Sequence, residues 1–430
     1  MDLDIYFDRL WPICRSITGA GLRQSLSILK EVIPIDVISK PSGEKVFDWE
    51  VPREWVINDA RLESPDGKVY CEFKNSNLYI VNYSVPVNRE LEFDELRPHL
   101  YSIPNLPSAI PYITSYYKDN WGFCLPHSLL EKLPRNGKYK CFIDSDHING
   151  SLDYGHFLLE GGFSNKEVLL SSYLCHPSLA NNELSGPLVM MGLYERISRW
   201  ESRRFNYRFY CGPETIGSLC FLKDFGNILQ KNLVLGLVLT CLGGKINSNL
   251  SVKLPRSQTS FASIFLSNQN DFRFRSFTPC GGSDERQFCS PGFNLPVANI
   301  CRDVYGDYDG YHNSLDNKDS MTIESLTRSI DRIELLLKDF EVSYPFSRIN
   351  SYGEPQLGKR GLYPNINSSF TSKNSSDTIF DGRILRDSIM WLLSYADGQH
   401  SLEEVSQISD MPLDALRLAA IKLIDKGLIY

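Results

Sequence analysis

Residues 168–187, VLLSSYLCHPSLANNELSGP, join an apolar run to a polar cluster and decide the fold of this chain. The run Val168–Leu174 has the length of one buried strand, and from Gly186 to Trp200 apolar residues recur at the spacing of a helix. His176 lies between them, just after the apolar run. A strand followed by a helix, with polar side chains at the junction, is typical of parallel sheets, which bind ligands at the carboxyl ends of their strands.

The same alternation continues along the chain. Residues 205–211 and 233–241 have the apolar composition of buried strands, and residues 217–225 are helical in pattern. Residues 19–31, GAGLRQSLSILKE, predict an amphipathic helix near the start of the chain. The sequence therefore predicts an α/β protein with a largely parallel sheet that has helices on both faces.

A segment of different texture lies between Pro41 and about Leu133. It is rich in Trp, Tyr, Val and Pro and contains short runs such as KVYCEFK (68–74) and NLYIVNYSV (77–85). Pro65-Asp66-Gly67 is a turn sequence between two such runs. This composition predicts a small β-rich module set inside the larger domain.

The C-terminal region predicts a separate unit. Residues 351–378 are rich in Ser, Asn, Gly and Pro and predict an irregular connection. A helix around residues 384–395, the segment SLEEVSQIS, a longer helix and a final Gly-Leu-Ile strand make a winged-helix pattern. Residues 383–430 carry five Lys/Arg against seven Asp/Glu. A DNA-reading helix needs the opposite balance, so we expect packing against the core or a partner chain rather than DNA binding.

Charge and cysteine content restrict the class of protein further. The chain has 430 residues and a net charge of −7, which argues against a general nucleic-acid binder. No basic leader precedes an apolar run, and no window approaches the roughly 18 apolar residues of a membrane span. The 11 cysteines include no Cys-x-x-Cys pair. These features predict a cytoplasmic protein with reduced thiols, no membrane partner and no structural zinc ribbon.

Polar residues with ligand-type side chains follow the apolar strands in four segments. Zinc binds imidazole and carboxylate groups, and a catalytic zinc site keeps one position open. A nearby glutamate can take a proton from water and return it to a leaving amine. The candidates, in chain order, are His176, Asn182, Glu183, Glu214, Asp284, Glu285 and His312.

The order of these segments resembles the co-catalytic zinc aminopeptidases, the group that includes glutamate carboxypeptidase. His176 takes the first histidine position of that group, His312 the last, and Glu214 one of the glutamate positions. The chain is still more similar to a bacterial subfamily of aminopeptidase-like proteins, and this similarity spans nearly all of it. The phrases that carry it are CHPSLANNELSGP, GPETIGS, GGSDERQFCSPGFNLP and DGYHNSLDN. In the N-terminal part they are RSITGAGLR, PSGEKVFDWEVPREW and PYITSYYKDNWGFC.

The resemblance implies a zinc-aminopeptidase-like mixed sheet flanked by helices, an inserted β-rich domain and a C-terminal winged helix. The implied domains are an aminopeptidase-like core at 1–40 and 136–350, an insertion at 41–135, and a winged helix at 376–430.

Three positions depart from the two-zinc pattern of that group. Asn182 stands at the bridging Asp position, Pro213 replaces the first residue of a Glu pair, and Thr240 stands at a strand-end Asp position. A neutral amide cannot bridge two dications as a carboxylate does. We therefore predict one zinc ion rather than two.

The predicted ligands are His176, His312 and a carboxylate from Asp284 or Glu285, with Glu214 as general base. Asp284 could instead orient one of the histidines. Glu214 could simply be a charge that favours a helix N-terminus.

Glu183 and Glu285 are spare acids that could receive the free amine of a substrate. Asn182 and Ser185 could instead cap the helix that begins near Gly186. Cys175 precedes His176, but neighbours on a strand point to opposite faces, which argues against a Cys–His dyad.

These residues predict a metal-dependent hydrolase of an amide bond, with a peptide or an N-acylated small molecule as substrate. One alternative is a deacylase of a carbohydrate or metabolite intermediate in surface-polysaccharide biosynthesis. Another is a non-catalytic binding protein on a peptidase fold. A third, transcriptional regulation through the winged helix, is disfavoured by the acidic count. A homo-oligomer is compatible with all of them.

Overall fold

The computed structural model describes residues 1–161, 164–245, 248–363 and 382–430. They form two compact units. The first comprises Met1–Glu160, Lys166–Glu201 and Asn206–Glu334, and the second comprises Gly161–Asn165, Ser202–Phe205 and Leu335–Tyr430. The predicted start of the winged helix at residue 376, and the part of the predicted connection from residue 364 onward, lie outside the described residues.

A central sheet of eight strands forms the core of the first unit. Its parallel centre is Glu167–Tyr173, which pairs with Asn206–Gly212 on one side and Leu233–Leu239 on the other; Val297–Cys301 extends this parallel set. The full strand order is Asp36–Pro41, Ser151–Leu159, Asn206–Gly212, Glu167–Tyr173, Leu233–Leu239, Val297–Cys301, Ser251–Lys253 and Arg273–Arg275.

The central strands are the ones that the apolar runs predict. Every residue of Glu167–Tyr173 and of Leu233–Leu239 is buried. Parallel strands covered on both faces require such continuous apolar runs. Because these strands run in the same direction, the residues that follow them meet at one edge of the sheet.

Helices account for most of the remaining regular structure of this unit. Gly186 lets one of them pack closely, since a Cβ there would lie 2.3 Å from the carbonyl oxygen of Leu239. No helix within the described residues combines the length and the apolar content needed to cross a membrane. The helices are Leu3–Leu10, Ala20–Lys30, Phe93–Leu96, His127–Leu130, Ser185–Ile197, Ile216–Asn232, Phe261–Ser267, Glu285–Phe288 and Ile323–Ser343, with a π-helix at Ala180–Leu184 and 3₁₀ turns at Asn77–Tyr79 and Arg97–His99.

A small antiparallel sheet takes three strands from the segment that is predicted to be β-rich and a fourth, Lys138–Ile148, from beyond it. Its strand order is Val69–Glu72, Glu54–Glu63, Lys138–Ile148 and Val87–Glu92. Two short ribbons accompany it, Lys45–Val46 with Trp49–Glu50 and Leu100–Tyr101 with Phe123–Cys124.

Two features inside this segment follow from local side-chain and backbone chemistry. Gly67 has a φ of 83° in the turn between the first two strands of the small sheet. The run 77–85 forms no strand of that sheet, because Ser76 Oγ accepts a hydrogen bond from the Leu78 amide and starts a 3₁₀ turn. The limits assigned to the insertion stay predictions.

Within its described residues, the second unit contains the end of the helix Ile323–Ser343, a 3₁₀ turn at Gly358–Arg360 and the helices Gly382–Tyr395, Leu402–Ser409 and Leu413–Asp425. Ser401 and Glu404 form a capping box that begins the middle helix. The predicted final strand is reduced to a single antiparallel bridge between Arg348 and Ile429.

Candidate functional site

His176 lies just beyond the central strand Glu167–Tyr173, and its side chain is held by a buried carboxylate. Its Nδ1 is 2.7 Å from Oε2 of Glu183, which comes from the π-helix Ala180–Leu184. π-Helical turns inside helices occur often at functional sites. This contact leaves Nε2 as the imidazole nitrogen that is open to another partner.

A buried arginine sits behind this pair. Nε of Arg15 lies 4.0 Å from Oε1 of Glu183 and donates to the backbone oxygen of His176 at 3.1 Å. Arg15 and Glu183 are both fully buried. Burial alone would lower the pKa of His176, but the neighbouring Cys175 and Glu183 raise it well above its usual value. The charges of Arg15, Glu183 and His176 are therefore coupled to one another.

Glu214 approaches His176 from the next strand of the sheet, Asn206–Gly212. Its Oε2 lies 3.9 Å from Nε2 of His176, and its Oε1 accepts a hydrogen bond from Ser283 Oγ at 2.6 Å. Thr215, which follows it, has a φ of 63°. Such a conformation is uncommon for a β-branched residue and often marks a functional turn.

His312 completes the cluster from a distant part of the sequence. Its ring centroid is 5.4 Å from that of His176, and Tyr311 stacks on it at 4.0 Å. The Tyr112 amide donates to the backbone oxygen of His312 at 2.8 Å. Burial and the positive charge of His176 lower the pKa of His312 to about 3.

The two adjacent acids after Ser283 have different partners. Asp284 accepts hydrogen bonds from the Thr215 amide at 2.7 Å and from Ser218 Oγ at 3.1 Å. Burial and the charge of Glu214 raise the pKa of Asp284 to about 8. Asp284 therefore supports the turn that carries Glu214.

Glu285 pairs with a lysine instead of approaching the histidines. Its Oε1 lies 2.5 Å from Lys253 Nζ, and both side chains are fully buried. Glu285 also accepts a hydrogen bond from the Ser283 amide at 3.0 Å. The contacts of Asp284 and Glu285 are thus with Thr215, Ser218 and Lys253, and ligation by either acid stays a prediction. The contacts of Glu183 and Glu214 are with His176 itself.

Asn182 belongs to a hydrogen-bonded network centred on Asp316. The amides of Asn181 and Asn182 donate to the Asp316 carboxylate at 2.7 and 2.8 Å. Tyr173 donates to the backbone oxygen of Asn182 at 2.7 Å, and its hydroxyl lies 2.5 Å from that of Thr240. Burial raises the pKa of Asp316 to about 7. The neutral side chains of Asn182 and Thr240 therefore stand where the two-zinc pattern has carboxylates, and both residues are hydrogen-bonded within the protein.

The proposed capping roles differ from what the structure shows. The helix Ser185–Ile197 begins without a side-chain cap. Ser185 Oγ instead donates to the Asn181 backbone oxygen at 2.5 Å and accepts from the Leu242 amide.

Cys175 and His176 do not point to opposite faces of a strand, although their adjacent positions predict that they do. The strand ends at Tyr173, so strand alternation does not apply to Cys175 and His176, and Cys175 Sγ lies 3.4 Å from Nδ1 of His176. Burial nevertheless raises the pKa of Cys175 to about 11, so the thiol is protonated near neutral pH. A protonated, buried thiol is a poor nucleophile.

Sequence reasoning missed Arg15 and Asp316 as members of the site. Asp316 could have been suspected, since it stands four residues after His312 within DGYHNSLDN. Arg15 has no comparable local signal. It reaches the site only because residues near the N-terminus fold back against the end of the central strand.

A cavity of about 630 Å³ opens onto this cluster. Cavities of this size are typical of small-molecule sites. Its lining residues are Ile17, Trp49, Tyr112, Ile113, Thr114, Tyr116, Tyr117, Cys175, His176, Glu214, Thr215, Ile216 and His312.

The donor types of this cluster are those of a catalytic zinc site, in which imidazoles stand beside a carboxylate. Within the described residues, the group of three potential ligand atoms that lie within 4.8 Å of one another comprises Cys175, His176 and Glu183, and it includes neither His312 nor Glu214. The Glu183 contact to Nδ1 is the second-shell arrangement that usually orients a metal-binding histidine.

Comparison with known proteins places most of the chain in one family. Residues 5–342 match the model of a family described as a domain of unknown function, DUF4910, and residues 345–430 match a winged helix-turn-helix. A candidate polysaccharide-biosynthesis protein with an aminopeptidase-like domain, from Clostridium acetobutylicum, is 38% identical over 416 residues. The match covers 96% of this chain and 92% of that protein.

Solved structures agree with the fold. A candidate peptidase from Clostridium acetobutylicum aligns with a TM-score of 0.80 at 35% identity, over 100% of this chain and 95% of the other. A zinc aminopeptidase from Bacillus subtilis aligns with a TM-score of 0.54 at 12% identity, over 79% of this chain and 94% of the other. The predicted aminopeptidase-like mixed sheet and the C-terminal winged helix are confirmed.

Proposed function

We propose, from the premise that the chain belongs to the DUF4910 family and has the fold of the zinc aminopeptidases, that it is a metal-dependent hydrolase of an amide bond. One observation carries the proposal. Glu214 Oε2 and the imidazoles of His176 and His312 meet at the wall of the same cavity. A substrate in that cavity would therefore contact both the ligand-type groups and a carboxylate.

His176, through Nε2, and His312 would hold the metal. When bound, zinc supplies a Lewis acid for a carbonyl oxygen and lowers the pKa of a water molecule to about 7. The proposal is for one ion, since Asn182 and Thr240 replace carboxylates that a second ion would need.

The protein side chains do the remaining chemistry. Glu183 fixes the imidazole of His176 so that Nε2 faces Glu214. Ser283 holds one oxygen of Glu214, and the other, Oε2, accepts the proton of the attacking water and passes it to the leaving nitrogen.

Hydrolysis of an amide in a carbohydrate intermediate is the second candidate. It is favoured by the description of the clostridial relative as a candidate polysaccharide-biosynthesis protein. The same side chains would perform both reactions, because both cleave an acyl carbon–nitrogen bond.

Metal analysis and turnover of the purified full-length chain test the proposal. We expect about one zinc per chain. We also expect hydrolysis of at least one class among amino-acid anilides, short peptides and N-acylated sugars, and loss of this activity when a chelator removes the metal. Two tightly held zinc ions would contradict the single-ion site. Absence of both zinc and turnover would favour a non-catalytic binding protein.

A further inference from the structure

The cavity beside His176 has an aromatic wall. Trp49, Tyr112, Tyr116 and Tyr117 all line it. The rings of Trp49 and Tyr117 meet edge to face with centroids 5.5 Å apart, and the two residues remain 39% and 50% exposed. Exposed aromatic rings at a cavity offer a flat apolar surface to a ligand.

The backbone holds this pair in place at some cost. Tyr117 has a φ of 59°, which is unusual for an aromatic residue. Its hydroxyl donates to the backbone oxygen of Glu50, the neighbour of Trp49, at 3.1 Å. Strained residues that the surrounding structure holds fixed cluster at binding sites.

The charges around the cavity disfavour a free amine as ligand group. Among the described residues that line it, Glu214 is the one carboxylate, and there is neither a lysine nor an arginine. Glu183 and Glu285, which the sequence offers as acceptors for a substrate amine, are fully buried against Arg15 and Lys253. An α-ammonium would therefore compete for the carboxylate that transfers the proton. Burying that ammonium unpaired is unfavourable.

The polar groups that remain in the lining are mainly hydroxyls. Thr114, Thr215 and the tyrosines supply them, and the hydroxyls of Tyr112 and Tyr116 lie 3.0 Å apart. Hydroxyls both donate and accept hydrogen bonds, which suits a ligand with several uncharged hydroxyl groups.

We propose that the group bound in this cavity is an uncharged N-acylated sugar that stacks on Trp49 and Tyr117, rather than the free N-terminus of a peptide. The inference rests on the proposed amide hydrolysis and names its substrate class. Water oxygen bonds to the acyl carbon and the carbon–nitrogen bond breaks. One proton of the water passes through Glu214 to the nitrogen, and the new carboxylic acid gives the other to the amine, so the products are a carboxylate and a protonated amino sugar.

Binding measured without turnover tests this proposal. The full-length protein, freed of metal with a chelator, is titrated calorimetrically with N-acetylglucosamine and N-acetylgalactosamine oligosaccharides, with glucosamine oligosaccharides of equal length, and with leucinamide. We expect the Kd of the N-acetylated sugars to be at least about tenfold lower than that of either amine.

Substitutions on the aromatic wall test whether Trp49 and Tyr117 contact the sugar. Trp49→Ala and Tyr117→Ala should each weaken sugar binding about tenfold or more, whereas Trp49→Phe should retain most of it. Phe47→Ala is the matched control, because Phe47 is an exposed aromatic residue in the same short ribbon turn but does not line the cavity.

Three results would overturn the inference: no sugar binding, equal binding of leucinamide, or unchanged sugar binding in Trp49→Ala. Hydrolysis of leucine p-nitroanilide by a protein that binds no sugar would reject this substrate class and leave the proposed amide hydrolysis standing. Absence of metal and of all amide hydrolysis would reject the proposed function, whatever the sugar titration gives.

Discussion

Nδ1 of His176 lies 2.7 Å from Oε2 of Glu183, seven residues later in the chain, and this contact decides which nitrogen of the imidazole is free. Nε2 is left to face Glu214 at 3.9 Å. A carboxylate on the far nitrogen fixes the ring and raises its basicity as a ligand. Glu183 is therefore a positioning residue.

Replacing Glu183 should weaken the metal site. Glu183→Gln keeps the shape of the side chain but removes its charge, so we expect zinc affinity to fall about 10- to 100-fold. Competition with a chromophoric chelator measures this affinity directly. Glu90→Gln, on an exposed glutamate of the small sheet, serves as the control. An unchanged zinc affinity would show that Glu183 does not orient His176.

Arg15 and Glu183 should be energetically coupled. Both are fully buried, and removing Glu183 leaves Arg15 without its buried counter-ion, which costs about 3–5 kcal/mol, whereas removing Arg15 leaves Glu183 with His176. We expect Arg15→Met and Glu183→Gln to be less destabilising together than the sum of the single changes. Urea unfolding of the four proteins in the cycle measures the coupling, and additive losses would contradict it.

Glu214 should be needed for turnover and not for metal binding. Glu214→Gln removes the proton acceptor, and we expect the rate to fall about 10²- to 10⁴-fold with zinc content unchanged. Steady-state rates and metal analysis on the same preparation check both parts. Loss of zinc from this variant would make Glu214 a ligand instead of a base.

Gly186 should tolerate no side chain. A Cβ there would lie 2.3 Å from the Leu239 oxygen and equally close to Ser172 Oγ. We expect Gly186→Ala to lower the free energy of unfolding by about 1–3 kcal/mol or more, because the helix must move off the sheet. Gly281→Ala, where a Cβ meets nothing within 4 Å, is the control. Equal thermal stability of the two variants would contradict the tight packing.

Arg23 should give part of the stability a pH dependence. It lies 2.5 Å from Glu54 and 3.0 Å from Asp153, and its hydrogen bond holds the pKa of Glu54 below 4.5. A carboxyl group whose pKa is lower in the folded state stabilises the fold at pH values above its pKa in the unfolded state. This stability is lost as the pH falls through its pKa in the folded state.

We therefore expect Arg23→Ala to cost about 1 kcal/mol at pH 7, since the arginine is part-exposed, and less at pH 3. Urea unfolding at both pH values measures the difference. Arg53→Ala, on an exposed arginine, should show no such change. A cost that is larger at pH 3 than at pH 7 would reverse the sign and refute the assignment.

Much of the central sheet could be predicted from local pattern. The runs at 168–174 and 233–241 are mostly apolar because parallel strands at the centre of a sheet are covered on both faces. The run 77–85 also mixes apolar with a few polar residues, but it begins with the 3₁₀ turn Asn77–Tyr79, since Ser76 bonds to a nearby amide. Composition alone does not distinguish these two outcomes.

The sequence by itself determined the strand-end positions of His176 and Glu214, because the polar residues directly follow strands that composition identifies. It also determined that carboxylates are missing at residues 182 and 240, since that is a matter of residue identity. Only the tertiary structure decided which acid serves which partner. Glu183 contacts His176, seven residues before it, whereas Glu285 contacts Lys253 from the separate strand Ser251–Lys253. A carboxylate binds whatever donor the packing brings near it, and linear spacing does not contain that information.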